Sequence, residues 1–126
     1  MTQYLLVGMG GFLGANCRYL LGGLLLGWLG TSFPYATFLI NVSGSLAIGA
    51  ILTLLTERLA ADPAWRLLLV VGFLGGYTTF SSYSFEALAL LQEGLWVRGL
   101  AYVLGSNLLC LAACALGIVA ARALGR

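Results

Sequence analysis

Charge is almost missing from this chain. It has no lysine and no histidine, and six arginines stand against Glu57, Asp62, Glu86 and Glu93. Without an imidazole, the usual general base and the commonest metal ligand are absent. No two carboxylates share a helix turn within an apolar run, so paired acid–base chemistry has no footing. The serines have no evident activating base, and no enzyme activity is expected. The arginines form no stripe of the kind that nucleic acid requires. Cysteine is scarce too: Cys17, Cys110 and Cys114 all lie in apolar stretches. An odd number at such places is not a disulfide framework. Cys110 and Cys114 lack the companion ligands a metal site needs. Met1-Thr2-Gln3 carries no basic residue, so the first apolar run is read as a retained span rather than a cleaved signal.

Apolar residues fill the space that charge leaves. They make up 61% of the chain, and the mean hydropathy is +1.02. No soluble domain of this length hides that much apolar surface, so the chain is read as an integral membrane protein. A spanning helix needs about 20 apolar residues. Windows near Tyr4 to Trp28, Tyr35 to Thr56, Trp65 to Leu91 and Leu95 to Ala121 qualify. The expected fold is all-α, with these spans forming one membrane domain over residues 1–126. Pro34 suits the start of the second helix, and Asp62 before Pro63 suits an N-cap for the third. An even number of spans places Arg58, Arg66, Arg122 and Arg126 on one side and Arg98 on the other. The positive-inside rule puts the termini in the cytoplasm. So thin a bias also permits insertion both ways round.

Small residues recur at helical spacing. Gly10 and Gly14, then Ser45 and Gly49, are i, i+4 pairs, and Ser106, Cys110 and Cys114 form an i, i+4, i+8 row. Such faces let membrane helices approach closely. They serve packing within the chain or between copies, and 18 glycines in 126 residues favour an oligomer.

The third window is interrupted. From Gly72 to Glu86 it reads Gly-Phe-Leu-Gly-Gly-Tyr-Thr-Thr-Phe-Ser-Ser-Tyr-Ser-Phe-Glu. Irregular backbone at bilayer depth survives only under protein cover or beside water. A break here points to an ion or substrate path. Freed carbonyls at Gly75, Gly76, Tyr77 and Thr78 suit a cation, and freed amides after them suit an anion. Phe80 and Tyr83 share a face, where ring edges can line an anion path or simply pack. Ser81, Ser82 and Ser84 offer hydroxyls, or bond back to their own helix. Asn41 lies at the centre of the second span, as an interhelical bond or as a donor in a path. Glu86 is a functional candidate by depth, or an interfacial residue. Arg18 snorkels to an interface or lines an aqueous vestibule.

Three elements occur in order: Gly11-Phe12-Leu13-Gly14-Ala15-Asn16-Cys17-Arg18-Tyr19, Thr37-Phe38-Leu39-Ile40-Asn41-Val42-Ser43-Gly44, and Gly72 to Ser81. In these the chain resembles the Fluc/CrcB fluoride channels over nearly its whole length. The resemblance implies a fluoride-selective channel in a prokaryotic cell membrane, relieving fluoride toxicity by passive efflux. It implies an antiparallel, dual-topology homodimer with two pores. It also implies a structural sodium ion at the dimer interface, held by backbone carbonyls at Gly75 and Thr78. By the same resemblance Asn41, Phe80 and Tyr83 line each pore. Ser81, Ser82, Glu86 and Tyr102 match polar-track or neighbouring positions, and Arg18 a vestibule. Tyr83 stands where the family usually has phenylalanine, and Cys110 and Cys114 where hydroxyl residues are expected. Two other classes compete with this reading: a proton-coupled exporter of the small multidrug type and a non-transporting scaffold. The exporter needs an acid in the first span, which holds Arg18 instead.

Overall fold

The computed structural model describes residues 1–124, all in helices and short connections. Four helices are long and apolar enough to cross a membrane: α1 (Thr2–Leu29), α2 (Tyr35–Arg58), α3 (Pro63–Gln92) and α4 (Trp96–Ala123). They coincide with the apolar windows, and no strand occurs among the described residues. Arg126, counted above toward the charge bias, lies outside the described residues.

The helix ends follow local chemistry. Asp62 Oδ1 accepts from the Ala64 amide at 2.8 Å, and Pro63 opens the first turn of α3. Pro34 sits one residue earlier than expected: it caps α2, and Tyr35 is the first helical residue. Gly94 between α3 and α4 has φ +77°, a left-handed conformation that glycine adopts without Cβ strain. Two stretches, Leu54–Arg58 and Arg66–Leu74, are wound more widely, with bonds such as Leu59 N–H to the Leu54 carbonyl at 2.9 Å. The wider turn shifts the angular phase of everything after it.

Packing is set by glycine. α1 lies on the first half of α3, backbone against backbone. A Cβ at Gly10 would come within 2.7 Å of the Phe73 nitrogen, and one at Gly76 within 2.6 Å of the Gly11 carbonyl oxygen. α2 lies on α4 in the same manner, with Gly49 against the Cys114 backbone and a Cβ at Gly117 only 2.8 Å from the Ala50 nitrogen. Gly10, Gly14 and Gly49 therefore serve packing within the chain. Two small cores result, one around Ile40, Leu74 and Tyr77, the other around Tyr83, Ala87 and Tyr102. Most other large apolar side chains point outward, as a lipid-facing surface requires. At one end Arg122 pairs with Glu57 at 2.7 Å, and Arg58 donates to the Arg122 carbonyl. Both partners of the ion pair are half exposed, so water screens it and it contributes little.

Candidate functional site at the interruption of α3

Helical winding stops at Thr78 (ψ 157°) and Thr79 (φ −150°, ψ 116°), and resumes at Phe80. Asn41 of α2 holds this step by a reciprocal pair of bonds. Its Oδ1 accepts from the Thr79 amide at 2.8 Å, and its Nδ2 donates to the Thr79 carbonyl at 2.9 Å. Thr79 then caps the second half of α3: its Oγ1 accepts from the Ser82 amide at 3.2 Å. Two amides are thereby taken from the helical ladder. The Thr79 amide would ordinarily serve the Gly75 carbonyl, and the Ser82 amide the Thr78 carbonyl. Both carbonyls lose their helical donors because side chains have claimed them.

Removing the cap tests this local account. Thr79→Ala is expected to lower unfolding free energy by about 1 kcal/mol, and Thr79→Ser to restore most of it. Denaturant titration of the protein in detergent micelles reads the difference. Equal stability of the alanine variant would mean that Asn41 alone holds the step.

A cleft of about 430 Å³ opens on one side of the interruption. Asn41, Gly75, Thr78, Phe80 and Tyr83 line it, so the structure brings five of the sequence candidates together. The rings of Phe80 and Tyr83 lie 5.2 Å apart at 52°, yet Phe80 is 75% exposed and Tyr83 only 8%. α4 adds Ser106, Asn107 and Cys110 to the lining. The sequence reading missed Asn107 and saw Ser106 only as part of a small-residue row. The Ser106 hydroxyl is buried without a hydrogen-bond partner among the described residues.

A second, wider cavity of about 1070 Å³ lies beyond. Arg18, Ser82 and Glu86 line it together with Thr37, which the sequence reading also missed. Thr79 borders both cavities, so the step in α3 stands between them. Glu86 is tied on both oxygens. Oε1 accepts from Thr37 at 2.8 Å and Oε2 from the Tyr102 hydroxyl at 2.7 Å. Tyr102 itself is fully buried, stacked edge-on against Phe33 at 5.4 Å, and lines neither cavity. Its contact with the site runs through Glu86. Ser81 is exposed, with its hydroxyl 3.3 Å from Thr79 Oγ1, and lines neither cavity. Ser84 bonds back to the Phe80 carbonyl at 2.9 Å. Among the described residues no group of three His, Cys, Asp or Glu side chains could hold a metal.

Four apolar spans, the third with two extended residues at Thr78 and Thr79, define a multi-pass membrane protein. The family described as CrcB-like protein, Camphor Resistance (CrcB), matches residues 5–118. The chain is 53% identical over 120 residues to the fluoride-specific ion channel FluC of Solibacter usitatus, covering 95% of this chain and 98% of that one. It is 48% identical over 113 residues to the protein of the same name from Koribacter versatilis, covering 90% of each. It is 43% identical over 124 residues to that of Rhizobium meliloti, covering 98% of this chain and 99% of the relative. The chain belongs to the CrcB family.

Proposed function

We propose that this protein is a fluoride-selective channel that lets fluoride leave the cytoplasm passively and so relieves its toxicity. One observation carries the reading: the Asn41–Thr79 pair holds an extended step open between two cavities at membrane depth, in a chain whose relatives are named fluoride-specific channels. Fluoride sheds water only if donors and ring edges replace it. The cleft offers both and contains no charged side chain that would trap the ion. Arg18 in the second cavity gathers anions. A negative cell interior then drives fluoride outward, by about 2.3 kcal/mol per 100 mV.

The working unit in this proposal is an antiparallel homodimer inserted in both orientations. The Gly75 backbone and the Asn107 side chain are exposed on the single chain where they line the cleft. Lipid cannot satisfy such groups, whereas a second copy can cover them. The Gly75 and Thr78 carbonyls, stripped of helical donors, fit the oxygen ligation of a hard cation such as sodium. A sodium ion there would supply positive charge at the interface between copies. The exporter reading finds no support: α1 carries no acid, and both oxygens of Glu86 are engaged by hydroxyls. A scaffold leaves the pinned step without a purpose.

Fluoride efflux from liposomes, with valinomycin to clamp the potential, tests the proposal. Rapid fluoride loss without chloride loss is expected. No fluoride loss, or equal loss of both halides, would overturn it.

A further inference from the structure

Asn107 lies on α4, outside the residues that the family resemblance supplied. Its amide nitrogen makes two bonds, at 2.8 Å to the Val103 carbonyl and at 2.9 Å to the Tyr83 hydroxyl. A carbonyl can only accept, so the atom facing Val103 is the nitrogen and not the oxygen. The same nitrogen donates to Tyr83, and the phenol is the acceptor. A phenol that accepts from an amide keeps its own hydrogen for another partner. Among the described residues the Tyr83 hydroxyl has no other hydrogen-bond partner. Its ring is buried and held between Phe80 at 5.2 Å and Tyr102 at 5.3 Å, so it cannot swing away to find one. Tyr83 and Asn107 both line the cleft that holds Asn41.

We propose that Asn107 is a positioning residue that determines halide specificity: by holding the Tyr83 phenol as an acceptor, it commits the phenol hydrogen to the anion in the cleft. Donation from the amide also polarises the phenol and strengthens it as a donor. Fluoride is the most basic halide and gains most from a short O–H contact, whereas the larger chloride gains less. This chain thereby adds a hydroxyl donor where a phenylalanine would offer only a ring edge. The inference rests on the channel reading above.

The test combines transport with the state of the phenol. Efflux is measured against fluoride concentration, with chloride as competitor, for the wild type, Tyr83→Phe, Asn107→Leu and the double variant. Each single change is expected to raise the half-saturating fluoride concentration roughly tenfold and to lower fluoride-over-chloride discrimination. The double variant is expected to be no worse than either single one, because both remove the same contact. Independent effects that multiply would assign Asn107 a merely structural part and overturn the proposal. So would wild-type affinity and selectivity in Tyr83→Phe, which also carries the test if Asn107→Leu does not fold. Raman spectra, taken as wild type minus Tyr83→Phe, report whether the phenol accepts, donates or does both. Adding fluoride should turn an acceptor into an acceptor and donor, and Asn107→Leu should abolish the change. Flux without that change would sink the donor alone; the change without flux would sink the channel reading and keep the donor.

Discussion

Asn41→Asp is expected to cut fluoride efflux by at least about a hundredfold, equivalent to about 2.7 kcal/mol of barrier. The side chain keeps its size but loses its donor. Its remaining oxygen can still accept from the Thr79 amide, as Oδ1 does now at 2.8 Å. The other faces the Thr79 carbonyl, which the amide nitrogen approaches at 2.9 Å. Two acceptors at that separation repel, and the carbonyl is left unsatisfied at a depth where water is scarce, at a cost of about 1–3 kcal/mol. A negative charge also enters a cleft that has none. Asn41→Ala separates the two effects, because it removes both bonds without adding charge. If the alanine variant falls as far as the aspartate one, the pinned step is what matters; if the aspartate falls further, the charge adds its own barrier. Wild-type flux in Asn41→Asp would remove the step from the path of the ion.

Gly14→Val is expected to prevent folding, or to cost at least about 3 kcal/mol of stability. A Cβ there would overlap the Phe73 carbonyl and lie 2.9 Å from the Tyr77 nitrogen. Those are backbone atoms, so no rotamer change relieves the contact and α1 must lift off α3. The displaced stretch leads straight into Thr78 and Thr79, so the step would move with it. Gly23→Ala is the control: a Cβ there meets nothing within 4 Å, and alanine favours the helix. Yield of monodisperse protein and thermal midpoints in detergent separate the two. If Gly14→Val matched Gly23→Ala in both, the backbone contact between α1 and α3 would not exist in the membrane.

Gly75 and Gly76 show where sequence reasoning stops. Paired glycines in a membrane span read as the place where the helix fails. In the structure both remain helical, and Gly76 is there because α1 comes within contact of its backbone. Winding ends later, at residues with β-branched side chains, because Asn41 supplies the missing partners for Thr79. Asn41 itself was legible, since an amide at the centre of an apolar run must bond to something. Asn107 was not. It looks like one more polar residue on a long apolar helix, and nothing local says that it meets Tyr83. That contact depends on how α4 is rotated against the second half of α3, which neighbouring residues do not encode.

The sequence by itself determined the membrane class, the number and order of the spans, and the glycine- and hydroxyl-rich stretch of α3 where a site was to be sought. These follow from sums over adjacent residues: hydropathy across a bilayer's thickness, charge at the ends, glycine and hydroxyl density between. Only the tertiary structure decided which polar groups meet. Asn41 and Thr79 lie 38 residues apart, Thr37 and Glu86 49 apart, and Tyr83 and Asn107 24 apart. Each hydrogen bond requires its donor and acceptor within about 3 Å and in line. The glycine contacts and the widened turns set that alignment, and they exist only once the helices have packed.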